Sequence, residues 1–320
     1  MRSILLRAYN YFYSTNELCP GTLRTKSMVQ WTVFGIMRRT LRFLFRLYMQ
    51  VYKLMGRYPD PLKGRKDIVV SLTSFPKRIG LVWITIDSLF HQKVQPGSIR
   101  LYLTNVEFPE GRRSLPKRLL AYERLGLEIH FCEENLMPHV KYHYAMQELP
   151  DDALLITVDD DLHYYPQTIE YLVQLHEQYP DCVCSNRVKS IPFQEGKPIH
   201  YDEWPLLFSP VPPSINHLAL GYGGVLYPVH LFKGAKEMFD TAMIKKLSLR
   251  ADDLWLKVME TRLGIPVVNG PYLIPGISVL GSQEVSLMSV NTGSEGLNDV
   301  QWAQMEEVFH QNELLLHAKD

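Results

Sequence analysis

Three consecutive carboxylates close an apolar run, Leu154-Leu155-Ile156-Thr157-Val158-Asp159-Asp160-Asp161. Like charges this close raise one another's pKa unless a cation neutralises them. A hard divalent cation with oxygen ligands, Mg²⁺ or Mn²⁺, is the natural neutraliser, and such ions keep positions open for water and substrate phosphates. If the extended backbone continues, Asp159 and Asp161 project to one side and Asp160 to the other. The competing reading is an acidic turn capping the next helix, where aspartate is also favourable. Three acids directly on the end of a buried strand favour the metal site.

A second acidic pair stands in Arg250-Ala251-Asp252-Asp253-Leu254-Trp255. Asp252 suits an N-cap, with Leu254, Val258 and Arg262 following in helical register. Capping needs only one of the two acids, so the other is available as a general base. Between the acidic groups lies Gly221-Tyr222-Gly223-Gly224-Val225-Leu226-Tyr227-Pro228. Gly223 and Gly224 would let the backbone approach a ligand closely, although a tight turn before a strand explains them equally. His139 and His143 stand four apart, as zinc ligands on a helix do, but no third ligand accompanies them. The segment 201–217, with Trp204 and four prolines, suits either a sugar face or a rigid surface loop. The Gly/Ser stretch 291–299 reads as a flap that closes over a ligand.

The elements that position these residues follow from apolar patterning. Strands are expected over 67–73, 98–104, 127–131 and 153–158, and helices over 81–91, 116–125 and 142–148. Strands alternating with helices at this rhythm imply an α/β domain with a mostly parallel sheet and helices on both faces. Ligands of such sheets bind beyond the C-terminal strand ends, where the Asp159–Asp161 cluster falls.

The 320 residues are 46% hydrophobic and 21% charged, with zero net charge, which argues against a strongly basic nucleic-acid binder. The balance is uneven. Residues 1–66 carry thirteen Lys and Arg against Glu17 and Asp60, a net +11, leaving −11 for the remainder. Four scattered cysteines, Cys19, Cys132, Cys182 and Cys184, read as reduced thiols of a cytoplasmic chain. No apolar stretch is long enough to span a bilayer, and the N-terminus lacks a signal-peptide pattern. The expected organisation is a basic extension over 1–57, a Pro-containing linker over 58–66 and a catalytic domain over 67–320. Residues 28–57 read as one helix. Arg39, Arg42, Arg46, Lys53 and Arg57 fall within a sector of ~60°, opposite Phe34, Met37, Leu41, Leu44, Tyr48, Val51 and Met55. Such a helix can lie on an anionic membrane surface, or pack its apolar stripe on the body of the protein or on a second copy.

Taken in order, the motifs resemble the nucleotide-sugar-dependent glycosyltransferases of the GT-A fold, most of all bacterial enzymes of surface-polysaccharide assembly (capsule, lipopolysaccharide or exopolysaccharide). The resemblance rests on Ser71-Leu72-Thr73-Ser74-Phe75-Pro76-Lys77-Arg78-Ile79, Ser88-Leu89-Phe90-His91-Gln92, Lys141-Tyr142, Thr157-Val158-Asp159-Asp160-Asp161, Gly223-Gly224-Val225-Leu226-Tyr227-Pro228, Asp252-Asp253-Leu254-Trp255 and Asn298-Asp299. It covers about residues 67–300; the basic extension is not part of it. The resemblance implies a DxD motif in which Asp161 ligates Mn²⁺ or Mg²⁺ and Asp159 reaches the donor ribose or the metal. It implies that Thr73, Ser74 and Arg78 receive the nucleotide, with Asp160, Gly223 and Gly224 also on the donor side. Lys141 would contact the diphosphate, Asp253 would accept the proton of the acceptor hydroxyl, and Asp252 would support it. The donor would be a nucleotide-sugar, in particular a UDP-sugar, and the acceptor a saccharide or lipid-linked sugar, with inversion at the anomeric carbon. Such an enzyme would work in the cytoplasm or peripherally on the inner face of the membrane. One departure stands out: a clear late histidine ligand is missing, His310 and His317 lying in a helical tail, so the metal would have either a single strong protein ligand or a helper in Asn291 or Asp299. The alternatives are a nucleotidyl- or sugar-phosphate transferase, against which the first strand lacks a Gly-rich, Arg-containing phosphate loop, and an inactive sugar- or membrane-binding module.

Overall fold

The computed structural model describes residues 1–17, 28–270, 276–279, 281 and 296–317. The chain opens with helices α1 (Arg2–Glu17) and α2 (Met28–Leu54), then β1 (Arg65–Thr73), α3 (Val82–Phe90), β2 (Pro96–Thr104), α4 (Lys117–Leu120) and β3 (Leu127–Cys132). It continues through α5 (Val140–Glu148), β4 (Leu154–Thr157), β5 (Leu162–Tyr164), α6 (Thr168–Gln178), β6 (Val183–Ser185), β7 (Val188–Ser190), β8 (Phe193–Gln194) and β9 (Lys197–Pro198). The last part holds β10 (His217–Ala219), β11 (Val225–Pro228), α7 (Thr241–Leu247), α8 (Asp252–Leu263), β12 (Val267–Asn269), β13 (Gly276–Ser278), α9 (Leu297–Phe309) and α10 (Gln311–His317).

Seven strands form one sheet in the order β12-β6-β11-β4-β1-β2-β3. Neighbours run parallel except where β11 is inserted antiparallel between β4 and β6, so the domain is mixed α/β with a mostly parallel central sheet. Both faces are covered, and the strands therefore read as continuous apolar runs. Alternation sorts the side chains. Ile68, Val70 and Leu72 of β1 join Leu154, Ile156 and Leu226 in one core, while Val69, Leu155, Val225 and Tyr227 enter the core on the other face.

All nine residues of α3 are buried, which requires a cover on its outer side as well as the sheet beneath. The extension supplies it. Phe45, Met49 and Tyr52 of α2 and Leu6 and Tyr9 of α1 belong to the same core as α3, and Phe45 packs edge-on against buried His163 with ring centroids 4.7 Å apart. Arg2 pairs with the fully buried Asp87 of α3, which also accepts the Tyr122 hydroxyl at 2.9 Å. Arg118 stacks on the Tyr58 ring at 3.8 Å and donates to the Arg57 carbonyl, fastening the end of α2 to the body.

Several boundaries differ from the sequence expectation. The basic helix stops at Leu54 instead of Arg57 because Gly56 takes a left-handed φ of 62° and the Arg57 N–H turns back to the Tyr52 carbonyl, a glycine-terminated helix end. Its packed line is Phe45–Met49–Tyr52; Met37, Leu44, Val51 and Met55 of the expected apolar stripe are exposed. The helix expected over 116–125 is broken into α4 and a 3-10 turn, Glu123–Leu125, where Tyr122 is drawn inward to Asp87. The strand expected over 153–158 is shorter, ending at Thr157.

Because α2 shares the α3 core, Met49→Ala should destabilise the protein by roughly 2–5 kcal/mol, the usual cost of a buried large-to-small change. Deleting residues 1–57 should lower the melting temperature sharply and cause aggregation, since it uncovers that core and strips Asp87 of Arg2. Calorimetry and gel filtration check both; a monodisperse 58–320 fragment with unchanged melting would show that α1 and α2 contribute no packing.

Candidate active site

The acidic groups meet at the C-terminal edge of the sheet. β4 delivers Asp159, α8 opens with Asp252 and Asp253, α5 delivers Lys141 from its first turn, and the 3-10 turn Gly221–Gly223 leads into β11. The antiparallel direction of β11 matters here: its first residue, Val225, pairs with Thr157, the last of β4. The glycine turn is thereby set at the same edge as the aspartates.

Lys141 is the centre of the cluster. Its ammonium lies 2.8 Å from Asp159 Oδ1 and 2.9 Å from Asp252 Oδ2, with the lysine side chain 5% exposed. Burial alone would lower the pKa of such a lysine, but Asp159, Asp252 and Asp253 outweigh it and hold Lys141 well above its ordinary value. Asp252 shows the reciprocal effect. Burial would raise it, yet Lys141, aided by His139, holds its carboxyl below the usual range. Asp252 is thus not the helix N-cap expected from sequence. Ala251 occupies that position without a side-chain cap, because the carboxylate of Asp252 is turned to the lysine.

Asp253 is partly accessible and accepts the Gly221 N–H at 3.1 and 3.2 Å through its two oxygens. Its enclosed setting, then the charge of Asp252, push its carboxyl well above the ordinary range, with Lys141 pulling the other way. Gly221 is the glycine this cluster requires. A Cβ there would stand 2.9 Å from Lys141 Nζ and 3.0 Å from Asp253 Oδ1. Gly223 and Gly224, the pair singled out in the sequence, face inward instead, Gly223 onto the Arg187 side chain and Gly224 onto Thr168 and Leu172.

The other half of the strand-end cluster belongs to the loop after β1. Asp160, 6% exposed, accepts Ser74 Oγ and Arg78 Nη1, each at 2.6 Å, and its own carbonyl accepts Thr85 Oγ1 at 2.9 Å. Arg78 also reaches Asp161 at 3.2 Å. Simple alternation, with Asp159 and Asp161 on one side, does not hold, because β4 ends at Thr157 and the chain turns at Asp160–Asp161. Asp160 and Asp161 share Arg78, and Asp159 lies with Lys141. Thr73 donates its hydroxyl to the Tyr102 carbonyl at 2.9 Å.

Sequence reasoning missed Tyr164, Tyr222 and Arg187. Tyr164 accepts the Asp159 N–H at 2.8 Å and donates to the Tyr222 carbonyl at 3.3 Å, bracing Asp159 against the glycine turn. Arg187, 2% exposed, lies 5.8 Å from the Tyr222 ring. A lone arginine just after the apolar strand Val183–Ser185 was the available signal. Other candidates are absorbed by structure. His139 uses both ring nitrogens, on the Tyr142 hydroxyl at 2.9 Å and the Ser248 carbonyl at 2.7 Å, and burial pushes its pKa down to about 4. Trp204 is buried edge-on against Trp302 at 5.3 Å, so it belongs to neither a sugar face nor an exposed loop. Asp299 accepts the Tyr201 N–H at 2.9 Å and pairs with His200 at 3.0 Å. Of the flap expected over 291–299, residues 291–295, Asn291 among them, lie outside the described residues, and 297–299 are the first turn of α9.

Arg78 and Lys141 already neutralise much of the carboxylate charge, so clustering alone does not demand a metal. Among the described residues no three His, Cys, Asp or Glu side chains form a group that could hold an ion. The carboxylates of Asp159 and Asp161, 34% and 15% exposed, supply hard oxygens of the type that suits an Mg²⁺ or Mn²⁺ completed by substrate phosphates and water, not an all-protein cage.

No family model matches the chain, and no curated protein matches it. Solved structures do align. A mannosyltransferase from Pyrobaculum calidifontis, in complex with GDP-Man and Mn²⁺, is 12% identical over 86% of this chain and 79% of its own, with a TM-score of 0.46. TarS 1–349 from S. aureus is 12% identical over 80% and 76%, with a TM-score of 0.44. A 4-diphosphocytidyl-2C-methyl-D-erythritol synthase from Anaerococcus prevotii is 13% identical over 71% and 95%, with a TM-score of 0.40. At these scores the likeness carries no argument about chemistry.

Lys141→Met should strand two carboxylates and destabilise the protein by roughly 3–5 kcal/mol near neutral pH. A carboxyl held below its unfolded value contributes stability above that value and loses it as pH falls. The gap between wild type and Lys141→Met, followed by urea unfolding, should therefore narrow as pH falls through about 4 and below. A gap independent of pH would show that Lys141 does not stabilise by pairing.

Proposed function

We propose that the chain is a metal-dependent, nucleotide-sugar-using glycosyltransferase of the GT-A kind. It moves a sugar from a nucleotide diphosphate, UDP in the first instance, to a saccharide or lipid-linked acceptor, as in bacterial surface-polysaccharide assembly. The supporting observation is the buried Lys141, which joins Asp159 of the strand-end cluster to Asp252, beside Asp253. A leaving diphosphate and an attacking hydroxyl need such groups side by side, cationic and hard-oxygen on one side and a proton acceptor on the other. On this reading Asp253, oriented by the Gly221 N–H, takes the proton of the acceptor hydroxyl in one inverting displacement. Lys141 keeps Asp252 ionised and holds Asp159 and Asp252 close to the diphosphate. Asp161, with Asp159, would hold Mn²⁺ or Mg²⁺, which when bound supplies positive charge against the leaving group. The work belongs in the cytoplasm or on the inner membrane face, where nucleotide-sugars are met.

The test is product identity with a panel of donors and Mn²⁺. Free nucleoside diphosphate is expected; pyrophosphate or nucleoside monophosphate would mean nucleotidyl or sugar-phosphate transfer, and no product with any donor would mean a binding module. Asp161→Ala should abolish donor binding and turnover with the fold retained, read by calorimetry and circular dichroism. Near-normal metal-dependent turnover in that variant would remove Asp161 from the site.

Asp253→Asn should lower turnover by roughly 10²–10⁴ with donor affinity intact. Because Asp253 is held above the ordinary carboxylate pKa, the rate should rise with pH along a limb well above about pH 4, and Asp253→Asn should flatten that limb. Equal losses of donor affinity and rate would move Asp253 to the donor side.

A further inference from the structure

Helix α2 has two apolar faces, and the body of the protein covers one. Phe45, Met49 and Tyr52 are buried. At about 100° per residue, Ile36, Phe43, Leu44, Leu47, Val51 and Leu54 occupy an arc of roughly 120° on a different side. They are 50, 58, 42, 52, 43 and 83% exposed. Single exposed apolar residues are ordinary on a folded surface, but a continuous file of them marks an interaction site. Bordering the file stand Arg39, Arg46, Lys53 and Arg57, all exposed and without an ion pair among the described residues.

The occupant must match both features. A second copy meeting this face symmetrically would bring the same unpaired cations together, an electrostatic cost. An anionic leaflet offers phosphates to the basic row and an acyl boundary to the apolar file, the arrangement of a helix lying in the interface plane. No described helix is long and apolar enough to cross a membrane. The charge division supports the same orientation, since residues 1–66 carry +11 and the remainder −11, so a negative surface attracts this end and repels the body. Arg42 and Arg46 also line a crevice with Leu81, Ile84, Ser278 and Val279, and the Val279 N–H donates to the Asp161 carbonyl at 2.8 Å. The docking face therefore adjoins the backbone that braces the candidate site.

We propose that the uncovered face of α2 docks in plane on an anionic lipid leaflet, with Phe43, Leu47 and Leu54 in the acyl boundary and the basic row at the phosphates. This surface is independent of the chemistry proposed above, and its test does not use turnover. The full chain is sedimented with vesicles of phosphatidylcholine alone or mixed with phosphatidylglycerol, at low and high salt. Wild type should pellet with the anionic vesicles only and be partly released by salt. Arg39→Gln/Arg46→Gln/Lys53→Gln should weaken the partitioning by roughly 10²-fold, and Phe43→Ser/Leu47→Ser/Leu54→Ser should weaken it with the melting temperature unchanged, because all six positions are exposed. Equal binding to neutral vesicles, or none to either, would overturn the proposal. So would a lipid-free dimer that the triple-serine variant dissociates, which would assign the face to a second copy.

Discussion

A lysine buried among three aspartates is the constraint on which the site depends. Taking the Lys141 ammonium out of water is costly, and the cost is offset only by carboxylates held at hydrogen-bond distance. Those carboxylates come from the end of β4 and the start of α8, elements on opposite sides of a long stretch of chain. The pairing fixes where α8 can begin and which way Asp252 points, and it leaves Asp253 beside the Gly221 peptide. The high basicity of Lys141 and the depressed Asp252 describe one interaction from its two ends, while Asp253, enclosed and then crowded by the charge of Asp252, has its carboxyl pushed up.

A second charged centre lies on the other side of β4. The Asp160 carboxylate, with Ser74 and Arg78, ties the loop after β1 to the turn after β4. The three adjacent acids thus separate into different tasks. Asp160 is engaged in structure, Asp159 belongs to the lysine cluster, and Asp161 shares Arg78 with Asp160. The geometry of this edge is set by two parallel strands, β1 and β4, whose register keeps Ser71 opposite Thr157.

The α/β rhythm, the strand ending in acids and the acidic helix start were legible in the sequence because each is a local pattern. What failed was local reasoning about long-range choices. Strand alternation assigned Asp160 to the wrong partner set because it applies only while a strand lasts, and β4 is four residues long. The capping pattern at Asp252 was sound for an isolated helix but yielded to a buried cation from α5. Trp204 looked like a loop aromatic because its cover, Trp302, lies far along the chain. The glycine of consequence, Gly221, was passed over for the more conspicuous pair beside it, since nothing local tells which glycine will face charged side chains.

The attachment of Arg2 to Asp87 has a bearing on the order of events during synthesis. α1 and α2 leave the ribosome before the surface they pack on, which is not complete until α3 and the strands beneath it have emerged. For that interval Phe45 and Met49 have no partner, and α2 shows apolar side chains on both of its faces beside a row of arginines. The nascent chain thus carries an adhesive segment ahead of the body, and folding of the body is what withdraws one half of it.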